Sequence, residues 1–98
     1  MVFDGSAVLI TGSSRGIGKA TAQEFLAGGA RVAINGRTED SVAQAIEELG
    51  GHEGLVAAPG DVATAAGCEA LVAAAIEALG GLDVLVNSAG VYTQTPTA

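Results

Sequence analysis

The sequence predicts an α/β fold: an open parallel sheet of four strands, in the order 3-2-1-4, built from a βαβαβαβ arrangement with helices on both faces. Three observations lead there. Four short apolar runs rich in β-branched residues recur along the chain, and a helical pattern separates each from the next. Each helical pattern stops at a glycine pair: Gly28-Gly29, Gly50-Gly51 and Gly80-Gly81. Strands alternating with helices imply right-handed crossovers, and hence parallel neighbours.

The first run, 7–11 (AVLIT), and the last, 83–87 (DVLVN), are continuous rather than alternating. That is the mark of strands covered on both faces. The second and third strands are expected at 31–35 and 54–58, and helices near 15–28, 39–49 and 65–79. The second helix places Val42, Ala45, Ile46 and Leu49 on one stripe. The third does the same with Cys68, Leu71, Val72, Ala75, Ile76 and Leu79, and both stripes suit packing on a sheet. Thr38 and Thr64 stand where N-caps belong. The glycine pairs end the helices because a left-handed C-cap costs glycine least. The polar tail 91–98, with Pro96, reads as loop.

Composition fits one small domain. A chain of 98 residues buries roughly 60–68% of its unfolded surface. Apolar residues are 49% and aromatics 3%, with no Trp, so the interior is Ala, Val, Leu and Ile. The 15 glycines follow no Gly-X-Y period, which excludes collagen. A single cysteine, Cys68, excludes a disulfide framework and suits a reducing cytoplasm. The first residues carry Asp4 and no basic leader, unlike a signal peptide. No apolar stretch approaches the roughly 18 residues of a membrane span.

Net charge is −7, a balance that disfavours nucleic acid and anionic membrane as partners. The charges are unevenly placed. Arg15, Lys19, Arg31 and Arg37 all fall in the first 37 residues, whereas residues 38–98 hold nine acids and no Lys or Arg. Four cations gathered near the N-terminus suggest a local anion site. After the first strand comes Thr11-Gly12-Ser13-Ser14-Arg15-Gly16-Ile17-Gly18, then a helix. A glycine turn at that point aims backbone N–H groups and a helix N-terminus at an anion. Gly12 permits the tight turn, Gly16 lets a pyrophosphate approach, and Gly18 lets the helix pack on the strand. Ser13 and Ser14 add hydroxyls. The alternative is a tight turn without ligand.

The spacing T-G-x-x-x-G-I-G resembles that of the short-chain dehydrogenase/reductase family, classical type. Three further matches follow in the family's order: Asp61-Val62 after the third strand, Leu82 to Val86, and Asn87-Ser88-Ala89-Gly90, which is similar to N-N-A-G with Ser88 at the second Asn. The resemblance covers essentially the whole chain and implies the N-terminal half of a Rossmann-type three-layer domain, with residues 1–98 as a partial NAD(P)-binding unit. It implies cofactor contacts from Gly12, Ser13, Ser14, Arg15, Gly16, Ile17, Gly18, Asp61, Val62, Asn87, Ala89 and Gly90, with Asp61 against the adenine amino group. A plain turn role for Asp61 is the alternative.

Charge selects the cofactor form. NAD enzymes place a carboxylate at the end of the second strand, against the ribose 2′-hydroxyl. Here that stretch is Asn35-Gly36-Arg37-Thr38, and Arg37 suits a 2′-phosphate. Arg15 joins it by resemblance, so NADP(H) is expected over NAD(H). Glu39 and Asp40 suit the next helix's first turn.

The resemblance also implies catalytic groups that this sequence does not carry: a Ser, a Tyr and Lys as Y-x-x-x-K, and an Asn from a later helix. Tyr92 is followed four residues on by Pro96, and no Lys follows Lys19. The chain is therefore expected to bind cofactor without turnover, its parent interconverting carbonyl and alcohol, a 3-oxoacyl thioester being the favoured substrate. His52 reads as a surface histidine and Cys68 as a small buried hydrophobe. Two rival readings stay open: a stand-alone nucleotide-binding or sensor module, and a structural module. In the family a fifth strand pairs with the fourth, so an unpaired apolar edge at 84–86 would favour a homo-oligomer.

Overall fold

The computed structural model describes residues 2–88, so the tail expected as loop lies outside the described residues. Seven elements follow the predicted order: β1 (Ala7–Thr11), α1 (Gly16–Ala27), β2 (Arg31–Ile34), α2 (Glu39–Glu48), β3 (Leu55–Ala57), α3 (Ala65–Leu79) and β4 (Val84–Asn87). All neighbouring strands pair in parallel, in the order β3-β2-β1-β4. Leu9 stands in register with Ala33 on one side and Leu85 on the other. This is the Rossmann-type architecture the sequence predicts.

Alternation along the strands divides the interior into two layers. Val8, Ile10, Val32 and Ile34 face α1 and α2, meeting Ala22, Val42, Ala45 and Leu49. Ala7, Leu9 and Ala33 face α3, meeting Leu71, Ala75 and Leu79. Central β1 is buried along all five residues, which explains its unbroken apolar run. Edge strand β4 alternates half-buried with exposed, and Leu85 remains 53% exposed.

Several boundaries differ from expectation for local reasons. β2 ends at Ile34 because the next amide, that of Asn35, donates to the Ser13 hydroxyl (2.8 Å) rather than to a neighbouring strand. The α3 stripe is narrower than predicted: Leu71, Ala75 and Leu79 are buried, but Ile76 is 43% exposed. Cys68 is half-buried, not fully buried, and its thiol donates to the Val62 carbonyl at 3.3 Å. At the end of α1 the left-handed residue is the second glycine of the pair, Gly29 (φ +94), while Gly28 keeps φ −85.

Side chains also bridge the amino ends of the strands. The Asp83 carboxylate accepts from the Ala7 amide at 2.8 Å, and the Asp83 amide donates to the Ala7 carbonyl at 2.8 Å. The Arg31 guanidinium donates to the Leu79 carbonyl in the last turn of α3 and to the Gly5 carbonyl. A cation there complements the helix's negative end.

Candidate functional site

A cleft of about 800 Å³ opens at the carboxyl ends of β1, β2 and β3. In an open parallel sheet this is where diverging connections leave space for a ligand. Its floor is the turn between β1 and α1, and its far wall is the segment after β3.

The turn depends on what its glycines lack. A Cβ on Gly18 would lie 2.4 Å from the Gly12 carbonyl oxygen, so only glycine lets α1 start this close to the end of β1. A Cβ on Gly36 would meet Ser14 Oγ at 2.8 Å and Ser41 Oγ at 2.9 Å, which brings the end of β2 against the turn. Gly16 has φ +63 with open space around it. Its glycine is required by the left-handed backbone, and the missing Cβ leaves the cleft side clear. Gly16 also opens α1, whose N-cap, Arg15, supplies no side-chain hydrogen bond. By contrast, Thr38 caps α2 by accepting from Ser41 N, and Thr64 caps α3 by accepting from Gly67 N. The first turn of α1, whose Gly16, Ile17 and Gly18 line the cleft, therefore has no capping side chain for its amides.

Most predicted site residues gather here: Gly12, Ser14, Arg15, Gly16, Ile17, Gly18, Arg37, Asp61 and Val62 all line the cleft. Ile17 is 82% exposed, an apolar side chain at the mouth. Asp61 lines the wall and also accepts from Ala63 N at 2.9 Å, so its turn role and its place at the cleft coexist. Gly67 packs beneath this wall, where a Cβ would lie 2.1 Å from the Asp61 carbonyl oxygen.

Ser13 is not among the residues that line the cleft. It is fully buried, its hydroxyl donates to the Ile10 carbonyl (2.6 Å) and accepts from Asn35 N, and its amide donates to the Asn35 carbonyl (2.8 Å). Its polar groups brace the turn from behind. Asn87 is not among the residues that line the cleft; its Oδ1 accepts from the Thr11 hydroxyl at 2.9 Å, and Ser88 lines the cleft. Ser88 latches β4 to the turn, its amide donating to Thr11 Oγ1 (3.0 Å) and its hydroxyl to the Thr11 carbonyl. Ala89 and Gly90 lie outside the described residues.

The four cations divide. Arg15 and Arg37 are exposed at the cleft. Arg31 serves the opposite end of the sheet, and Lys19 forms an ion pair with Glu48 of α2. The Lys19 ammonium, with Gln44, holds the Glu48 carboxyl below the usual carboxylate range. Sequence reasoning did not assign Asn35, Gly36, Thr38, Ser41, Gly60 or Ala63 to the cleft they line. Glycines two and three residues after strands, Gly36 after β2 and Gly60 after β3, were the available signal. Among the described residues, no group of three His, Cys, Asp or Glu is placed to hold a metal. Nor is any helix there long and apolar enough to cross a membrane.

The fold and the glycine turn together define a Rossmann-type α/β protein. Comparison with known proteins narrows the class: the family model for short chain dehydrogenases matches residues 6–98, and the chain belongs to that family. The chain is 45% identical to a glucose 1-dehydrogenase of Gluconobacter oxydans over 97% of its own residues and 36% of the relative's. A short chain dehydrogenase from Mycobacterium smegmatis matches with TM-score 0.85 and 36% identity, covering 97% of this chain and 40% of that one. The 3-ketoacyl-(acyl-carrier-protein) reductase of Brucella melitensis, a structure complexed with NADH, matches with TM-score 0.75 and 32% identity over 85% of this chain and 33% of that one. This chain thus spans between 33% and 40% of the length of these three proteins.

Proposed function

We propose that this chain is the NADP(H)-binding part of a short-chain dehydrogenase/reductase whose whole protein interconverts a carbonyl and an alcohol. The observation that carries the reading is the pair Arg15 and Arg37 at a cleft whose β2 end offers Gly36, with no carboxylate on Asn35 or Gly36. The residues fit a dinucleotide. The turn from Gly12 to Gly18, with Ser14 and the uncapped start of α1, takes the pyrophosphate. Ile17 covers the ring beyond it, and Asp61 and Val62 take the adenine side. Arg37, with Arg15, takes the 2′-phosphate by charge-assisted hydrogen bonds. Asn87, Ala89 and Gly90 complete the contacts that the family resemblance implies. When bound, the nicotinamide ring supplies or accepts a hydride. The Tyr and Lys that the family resemblance implies for proton transfer to the substrate oxygen are not among these 98 residues, so we expect binding by this chain without turnover.

A 3-oxoacyl thioester is the favoured substrate class, supported by likeness to the Brucella reductase. The cytoplasm is the favoured compartment, on the strength of the lone thiol of Cys68. Along β4, the 53% exposure of Leu85 supports a partner: a further strand of a longer protein or a second copy. A monodisperse monomer in sedimentation would remove the second copy.

The test is titration of NADPH and NADH by fluorescence, with wild type and Arg37→Ala. Removing a charged hydrogen-bond donor should weaken NADPH binding about ten- to a hundredfold and leave NADH nearly unchanged. Equal affinity of wild type for both would overturn the NADP assignment. Binding of neither would leave the structural-module reading.

A further inference from the structure

We infer that Asn35 is a positioning residue for the glycine turn, a role that rests on the dinucleotide reading of the cleft but is carried by contacts independent of Arg37. Asn35 follows β2 and is only 2% exposed. Its side-chain oxygen accepts from the Gly12 amide at 2.9 Å. Its side-chain nitrogen donates to the Ala58 carbonyl at 2.8 Å and the Gly60 carbonyl at 3.2 Å. Its backbone exchanges hydrogen bonds with Ser13 in both directions. One buried amide thus ties the carboxyl ends of β1, β2 and β3 together.

The bonding pattern needs an amide. The side chain must accept on one side and donate twice on the other, which Asn does and neither Asp nor Leu does. A carboxylate at position 35 would still accept from Gly12 but would turn an oxygen toward two carbonyl oxygens. The side chain also occupies the Gly12 amide, so that donor is withheld from any ligand. Anion contacts are left to the backbone beyond it, toward α1. Asn35 therefore fixes where the turn sits relative to Gly60 and Asp61, and so the spacing between the two walls of the cleft. This role predicts equal support for NADP and NAD, because the 2′ position lies with Arg37 and not with Asn35.

Hydrogen exchange and calorimetry on the full chain test this together. In wild type, the Gly12 amide should exchange slowly. In Asn35→Ala it should exchange freely while the amides of Val8 to Ile10 stay protected. Affinity for NADP⁺ and for NAD⁺ should fall by the same factor, about tenfold, the scale of leaving buried polar groups unsatisfied. Arg37→Ala, in contrast, should lower NADP⁺ affinity alone. If Asn35→Ala fails to fold, Asn35→Asp replaces it: Gly12 should stay protected while affinity for both dinucleotides falls. A folded Asn35→Ala with wild-type affinity, or a loss confined to NADP⁺, would overturn the inference. If wild type binds neither dinucleotide, the cofactor reading fails, and the inference is overturned with it only if the wild-type Gly12 amide is unprotected.

Discussion

At the amino ends of the strands, charged side chains reach across gaps: Asp83 to the Ala7 amide, Arg31 to the end of α3. At the carboxyl ends the elements come together directly, because Gly18 has no side chain to hold it off the Gly12 carbonyl and Gly36 none to hold it off Ser14 and Ser41. The two ends face opposite demands. The first only has to stay shut, so long polar side chains bridge it at the surface. The second has to be rigid and yet open, so its stiffness comes from close backbone packing and from a buried amide. Its cleft side is left lined with donors and two guanidinium groups.

Three substitutions probe this contrast, from the largest expected effect to the smallest. Gly18→Ala forces a methyl group into the Gly12 carbonyl. It should cost about 1–3 kcal/mol in denaturant unfolding, the usual scale of overpacking, and should abolish dinucleotide binding. An unchanged midpoint would mean that the carboxyl end is not rigid. Asp83→Ala frees the Ala7 amide at the opposite end. It should cost about 1–2 kcal/mol while dinucleotide affinity, measured by titration, stays at the wild-type value. A fall in affinity would show that the two ends are coupled.

Glu48→Gln removes the ion pair between α1 and α2. Because Lys19 lowers the folded carboxyl below its ordinary value, its contribution is present above the unfolded pKa. It is lost as pH falls through the lowered folded one. Unfolding followed between roughly pH 5 and 3 should show wild type losing slightly more stability than the variant. Parallel curves would leave that pair without a measurable role, as is common for exposed ion pairs.

The sheet order, the three helices and the turn were legible because they rest on patterns local to the chain. Continuous apolar runs, amphipathic stripes, Thr caps and glycine pairs each follow from a few neighbouring residues. What was not legible depends on where pairing sends a side chain. Arg31 and Arg37 look alike in sequence, but they stand at opposite ends of β2 and serve opposite ends of the sheet. Ser13 and Ser14 are adjacent hydroxyls, yet the turn rotates one into the interior and the other into the cleft. Asn35 was read for the carboxylate it is not. Its three side-chain partners come from residues 23 to 25 positions away, and no local pattern reveals them.

The unequal capping of the helices has a thermodynamic consequence. α2 and α3 each satisfy a starting amide with their own threonine, but α1 begins at Gly16 behind an N-cap, Arg15, that supplies no such acceptor. Whatever anion settles at that helix start binds the folded chain and not the unfolded one, and so shifts the folding equilibrium by mass action. On the dinucleotide reading, a pyrophosphate held there would stabilise the fold by the same route. The stability of this chain would then depend on what the cleft holds as well as on its own packing.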